Sequence, residues 1–104
     1  MKSLAVFAVS MALVPAAVFA QAPATTTIPA TGGDIVITAI QHASVQIEQD
    51  GKVIQVDPAQ GDFSHAKPAD LVLVTDIHGD HLNPDDIAKV RKPGAPVVMP
   101  AAVQ

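Results

Sequence analysis

Residues 70–84 read "DLVLVTDIHGDHLNP". From Leu71 to Val74 every position is apolar, the pattern required of a strand covered on both faces. Within six further positions come four groups able to ligate a cation: Asp76, His78, Asp80 and His81. Polar side chains crowded onto the end of a buried strand cost free energy unless something satisfies them. Asn83-Pro84 then opens a helix, with Asn as the cap and Pro at the first helical position. Asp85 and Asp86 face the positive end of the helix dipole, which accounts for both acids. Lys89, Arg91 and Lys92 sit at the negative end, and Pro93-Gly94 stops the helix. "PVVMP", residues 96–100, reads as a second short buried strand. Strand, helix and strand make a βαβ unit, whose strands run parallel through a right-handed crossover.

Upstream the pattern is β. "DIVITAI", residues 34–40, is dense in β-branched side chains. "ASVQIEQ", residues 43–49, alternates: Ala43, Val45 and Ile47 on one side, Ser44, Gln46 and Glu48 on the other. That alternation predicts a strand with the polar side in water. Asp50-Gly51 suits a two-residue hairpin turn, and "KVIQVD" returns until Pro58, which cannot donate to a ladder. Residues 59–69 are expected to be loop. The predicted fold class is α/β, an α+β sandwich in which an antiparallel hairpin leads into the βαβ unit.

The chain has 104 residues, no Cys and a formal charge of −4. Its first twenty residues, "MKSLAVFAVSMALVPAAVFA", carry Lys2 as their only ionisable side chain and end in small residues. This is the form of a secretory signal peptide, with cleavage expected after Ala20 or Ala22. An uncleaved membrane anchor is the alternative, and Pro15 with the Ala-rich end argues against it. The mature protein is therefore expected to be periplasmic or secreted, with no membrane attachment. Residues 21–33, "QAPATTTIPATGG", are expected to form a flexible, disordered lead-in. Residues 34–104 remain for one small domain with a marginal core. A mildly acidic chain has no basic face for nucleic acid, and without Cys there are neither disulfides nor thiolate metal sites.

At the carboxyl end of a parallel strand, where open α/β sheets bind ligands, a divalent cation would satisfy the 76–81 cluster. Asp76 and His78 are two apart and project to one side of an extended chain. Gly79 gives the chain freedom to turn, so that Asp80 and His81 can face a second ion. Imidazole and carboxylate suit zinc first, with manganese or iron as alternatives. Two ions a few ångströms apart could lower the pKa of a shared water and supply hydroxide at neutral pH.

"VTDIHGDHLNP" resembles the metal-binding motif of the metallo-β-lactamase fold superfamily, His-x-His-x-Asp-His after a buried strand. "IQHASVQIEQDGKVIQVDP" is similar to the segment preceding that motif in the branch of L-ascorbate-6-phosphate lactonase-like hydrolases. The resemblance covers residues 35–104. It implies the N-terminal half of a four-layered αβ/βα fold, and an exported metal-dependent hydrolase that uses metal-bound hydroxide on a small-molecule ester, lactone, amide or phosphoester. It also implies that His78 ligates a first metal and that Asp80 and His81 ligate a second, so that the protein binds one or two divalent ions. Asp80 would in addition take a proton from the attacking water. Asp76 stands where the family has His, adding charge and hardness to the first site. His42 and Asp57 match positions near the metal centre, His42 lining the pocket and Asp57 orienting a ligating imidazole. The further ligands of the family come from later strands than any before Gln104, so the chain is expected to be truncated.

Simpler readings stand beside these. Asp76, His78, Asp80 and His81 could merely turn and cap a polar loop, His42 could bond backbone, and Asp57 could be a turn residue. His65 is expected to be plain surface. A non-catalytic metal- or ligand-binding module, or an inactive fragment, is the alternative to a hydrolase. The oligomeric state is left open by the sequence.

Overall fold

The structure, a computed structural model, describes residues 12, 15–17 and 21–103. The expected signal peptide thus lies almost wholly outside the described residues. Among the described residues no helix is long and apolar enough to cross a membrane.

Six strands form one sheet in sequence order, β1 (Ala24–Ile28), β2 (Ile35–Gln41), β3 (Ser44–Gln49), β4 (Lys52–Val56), β5 (Leu71–Leu73) and β6 (Val97–Val98). The first four are antiparallel, and β4–β5 and β5–β6 are parallel. One helix, α1 (Pro84–Val90), joins β5 to β6. The α/β expectation of a hairpin followed by a βαβ unit therefore holds. The β3–β4 turn is made by Asp50 (φ 48°) and Gly51 (φ 72°), both left-handed, as a two-residue turn between twisted strands demands.

The expectation for residues 21–33 is overturned. The lead-in is not structureless, because Ala24–Ile28 pairs with Ile35–Ala39 as an edge strand. Three consecutive threonines have β-branched side chains that favour extended backbone. Gly32 and Gly33, both at positive φ, reverse the chain so that this segment lies back along β2.

Helix α1 is bounded as its sequence foretells. The Asn83 side chain accepts from the backbone N–H of Asp86 at 3.1 Å, Pro84 opens the first turn, and Arg91 ends the helix in extended conformation. Its far end is tied to the sheet, since Ala69 N–H donates to Val90 O (2.6 Å) and Lys92 N–H to Ala69 O (3.0 Å). Ile87 and Val90 are buried, and Ile87 joins Ala69, Val72 and Val74, with Leu82, Val97 and Met99 against them. Complete burial of Val72 is worth about 1.5–3 kcal/mol.

The sides of the hairpin are the reverse of the expected ones. Ser44 and Gln46 on β3 are buried, at 1% and 5% exposure, whereas Val45 and Ile47 are half-buried. The reason lies in the crossovers. Right-handed parallel connections that step in the same direction place both on one face of a sheet. The 57–70 connection and α1 lie on the side of Gln46, Gln55 and Val72, which are cross-strand neighbours. Under the 57–70 connection the polar side chains find partners for all but Gln55 Oε1. Gln46 Oε1 accepts from Gln55 Nε2 (2.7 Å) and from Lys67 N–H (2.8 Å), while Gln55 Nε2 also donates to Lys67 O. Each bond offsets the cost of burying an amide, and a polar face becomes a buried one.

Val72 is enclosed on all sides, so Val72→Ala should lower stability by about 2–3 kcal/mol, a lost-methyl term plus a cavity term. The shift of the urea midpoint at constant slope measures it.

Candidate metal centre

The centre begins at Asp57, where β4 ends. This residue is 2% exposed and has φ 46°, unusual for a side chain other than Gly. Asp57 N–H donates to Leu73 O at 2.8 Å and its carbonyl accepts from Ser44 Oγ at 2.5 Å, so β3, β4 and β5 all hold the strained conformation. Its carboxylate turns toward the end of β5. Oδ1 accepts from Thr75 N–H (2.7 Å), and Oδ2 accepts from Thr75 Oγ1 (2.5 Å) and faces His81 Nδ1 at 2.8 Å. Buried charge is tolerated when hydrogen bonds satisfy it this fully.

His81 is consequently oriented. The Asp57 carboxylate holds the proton on Nδ1 and raises the imidazole pKa above its usual range, with Asp80 and Asp76 adding to the effect. With Nδ1 engaged, Nε2 is the ring nitrogen left for a ligand, and Asp80 Oδ2 lies 3.8 Å from it. The turn beneath is closed by His81 N–H and Leu82 N–H, each donating to His78 O at 2.9 Å. Leu82 sits against the core, which seats that turn.

Asp76 and His78 form a separate pair. Asp76 Oδ1 accepts from His78 N–H at 3.0 Å and bonds the His78 ring at Nδ1. The His78 backbone N–H, then its ring, hold the Asp76 carboxyl below its usual pKa. Among the described residues no three His, Asp or Glu side chains gather on a common centre. The structure sets Asp57 and Asp80 against opposite nitrogens of the His81 ring, and pairs Asp76 with His78 separately. His42 is exposed at φ 50° in the turn between β2 and β3. That turn opens at the edge where Gln41 pairs with Ser44 and Val45 with Val56, the edge that carries Asp57. His65 is exposed, as expected.

Three positions escaped the sequence reading. Thr75 links Asp57 to His81, its Oγ1 lying 3.2 Å from His81 Nδ1; a lone polar residue ending an apolar strand was the available signal. Gln60 donates from Nε2 to Gly79 O (3.1 Å) and from its backbone N–H to Asp86 Oδ2 (3.0 Å), and nothing in the sequence marked it. Asp86, assigned above to the helix terminus alone, is buried and joins the helix start to the loop that steadies Gly79. The chain turns at Gly79 as expected but without the backbone freedom peculiar to glycine. Its φ is not left-handed, and an added Cβ would meet Gln60 Nε2 at an ordinary 3.6 Å.

Two donors of the kind a divalent cation takes stand together here. Asp80 and His81 offer one oxygen and one nitrogen side by side, the imidazole is fixed in the required tautomer by a buried carboxylate, and such outer partners accompany metal-ligating histidines.

Comparison with known proteins bears on this geometry. The family profile described as "Beta-lactamase superfamily domain" matches residues 36–102. A crystal structure from Parabacteroides distasonis ATCC 8503, of a protein named as a candidate metal-dependent hydrolase, superposes with a TM-score of 0.72 at 32% identity. The match covers 79% of this chain and 39% of that one, so the chain spans about two-fifths of the solved protein's length. No curated protein matches.

Asp57→Asn keeps the shape but cannot accept three hydrogen bonds as a carboxylate does. A loss of about 2–3 kcal/mol is expected, together with a fall of the His81 pKa, read from its ring resonances. Asp86 has its carboxyl held below its usual value, chiefly by Lys89 and also by the Gln60 backbone N–H. A depressed pKa contributes stability above the ordinary carboxylate range and loses it as pH falls through the folded value. Asp86→Asn should therefore cost about 1 kcal/mol at neutral pH. The difference from wild type should vanish in urea titrations at low pH.

Proposed function

The chain belongs to the beta-lactamase superfamily, a hydrolase family, and from that membership we propose that it serves an exported, metal-dependent hydrolase of small molecules. The observation that carries the metal reading is the Asp57–His81 bond, which leaves His81 Nε2 beside Asp80. In this reading His81 and Asp80 hold one divalent ion, and His78 with Asp76 holds a second. Zinc is the first candidate, and the carboxylate of Asp76 widens the choice to manganese or iron. A bound cation would polarise a substrate ester, lactone, amide or phosphoester oxygen and lower the pKa of a neighbouring water.

The chain's own residues supply the rest. Asp57 and Thr75 keep the His81 ring in one tautomer and one orientation. Asp80 stands at the open edge with an ionisable oxygen able to take a proton from water. Gln60, anchored by Asp86, holds the Gly79 carbonyl and thereby the approach of Asp80. His42, exposed on the same edge, is placed to contact substrate. Export rests on the apolar, Lys2-led first twenty residues.

A second reading has its own support. Asp76 and His78 satisfy one another, which favours a binding module with a single ion at Asp80 and His81. Calorimetric titration with zinc and manganese separates the two. The hydrolase reading expects a transition metal at one or two equivalents and metal-dependent turnover in an ester and phosphoester panel. His81→Ala and Asp80→Asn should abolish binding, and Asp57→Asn should weaken it by about 10–100-fold. Asp76→His should strengthen or redirect a second site in an enzyme and leave a binding module catalytically inert. No metal uptake by the wild-type chain would reject both.

A further inference from the structure

Both sides of the candidate centre trace back to one hydroxyl. Ser44, at the start of β3, is 1% exposed, and its Oγ meets both ends of the Asp57-Pro58-Ala59 turn. It lies 2.5 Å from Asp57 O, 3.3 Å from Ala59 N and 3.2 Å from Ala59 O. A hydroxyl has one proton and two lone pairs. The shortest contact takes the proton to Asp57 O, and a lone pair receives the Ala59 N–H. Pro58, fully buried between them, has no N–H of its own. The turn thus lacks a donor at its middle, and a side chain from another strand supplies the tie.

Strained backbone brackets the segment. Asp57 has φ 46° and Gln60 has φ 56°, left-handed conformations that a Cβ disfavours. Such residues persist where several contacts over-determine them. From each of the two a side chain reaches the loop that carries the ligand-type groups. On one branch Asp57 Oδ2 holds His81 Nδ1 at 2.8 Å. On the other, Gln60 Nε2 donates to Gly79 O at 3.1 Å, one residue before Asp80. His81 Nε2 and Asp80 Oδ2, 3.8 Å apart, are the two donors that these branches steady. Ser44 stands where the branches divide.

We propose that Ser44 is a positioning residue for His81 and Asp80. Through the backbone on either side of Pro58, its hydroxyl sets where the two donors stand relative to each other. It touches neither of them and acts through Asp57 and Gln60. The cation is the one proposed above for Asp80 and His81, so the inference rests on that reading for its ligand. Placement of the His81 ring, by contrast, is a property of the metal-free chain. A hydroxyl that only satisfied a buried turn would change stability and nothing else. One that governs both branches changes the tautomer of His81 and the affinity for a cation together.

Nitrogen-15 spectra of the metal-free protein and calorimetric titration with zinc test it. At alkaline pH, where the ring is neutral, wild-type His81 should carry its proton on Nδ1 alone. Ser44→Ala should give a mixture of tautomers and weaken zinc binding by about tenfold, the low end for outer partners of a metal-ligating histidine. Added to Asp57→Asn, it should weaken binding by less than it does alone, because one residue acts through the other. If Ser44→Ala fails to fold, Gln60→Ala, at an exposed position, tests the second branch. That variant should weaken zinc binding and leave the His81 proton on Nδ1. A Ser44→Ala protein with wild-type tautomer and zinc affinity, fully additive losses with Asp57→Asn, or unchanged affinity in Gln60→Ala would each overturn the proposal. A wild type that takes up no zinc rejects the metal reading instead, and the ring spectra then decide the role of Ser44.

Discussion

The carboxylate of Asp57 is the point on which the rest of the structure turns. It is buried, its backbone is left-handed, and it takes two hydrogen bonds from Thr75 and one from His81. Both partners come from the loop that follows β5, and Ser44 secures the same residue from β3. A buried carboxyl group imposes strict geometry, because any lost bond leaves a polar atom uncompensated. That strictness sets the distance between the hairpin and the βαβ unit. It also fixes the ring that presents Nε2 beside Asp80. Stability and the proposed chemistry therefore draw on one interaction, and the strain at φ 46° is held at the candidate site.

A second constraint is one of sides. Parallel strands require long connections, and a fixed crossover hand sends both of them to the same face. The amides of Gln46 and Gln55 thereby become interior groups, bonded to each other and to the backbone at Lys67. The aliphatic face is left open. Alternation along β3 declares that its two sides differ, but alternation has no term for which side a later segment will cover. The usual assumption, polar toward water, fails here because the covering loop brings its own donors and acceptors.

Much of this was legible in the residues. The continuous apolar run at Leu71–Val74, the Asp50-Gly51 turn and the Asn83-Pro84 helix start are local signals, and each element formed where its signal stood. So was the resemblance to the superfamily, carried by a motif of six positions and a matching segment before it. Asp57 was readable only as a candidate, since an Asp before Pro is equally common in a plain turn. The lead-in was misread because Pro and Gly around a run of threonine look like a linker. Pairing with β2, from Ile28 against Ile35 to Ala24 against Ala39, makes it a strand. Gln60 and Asp86 carried no signal, because their partners are separated from them by many positions and are neighbours only after folding.

By itself, then, the sequence determined the elements from β2 onward, their order, the family and the cluster of ligand-type groups, all of which depend on side chains within a few positions of one another. Tertiary structure alone decided that Asp57 holds His81, that Gln60 meets Asp86, and which face of the sheet is closed. Those outcomes depend on distances between groups 13 to 26 residues apart and on the hand of the crossovers. No local pattern encodes either of them.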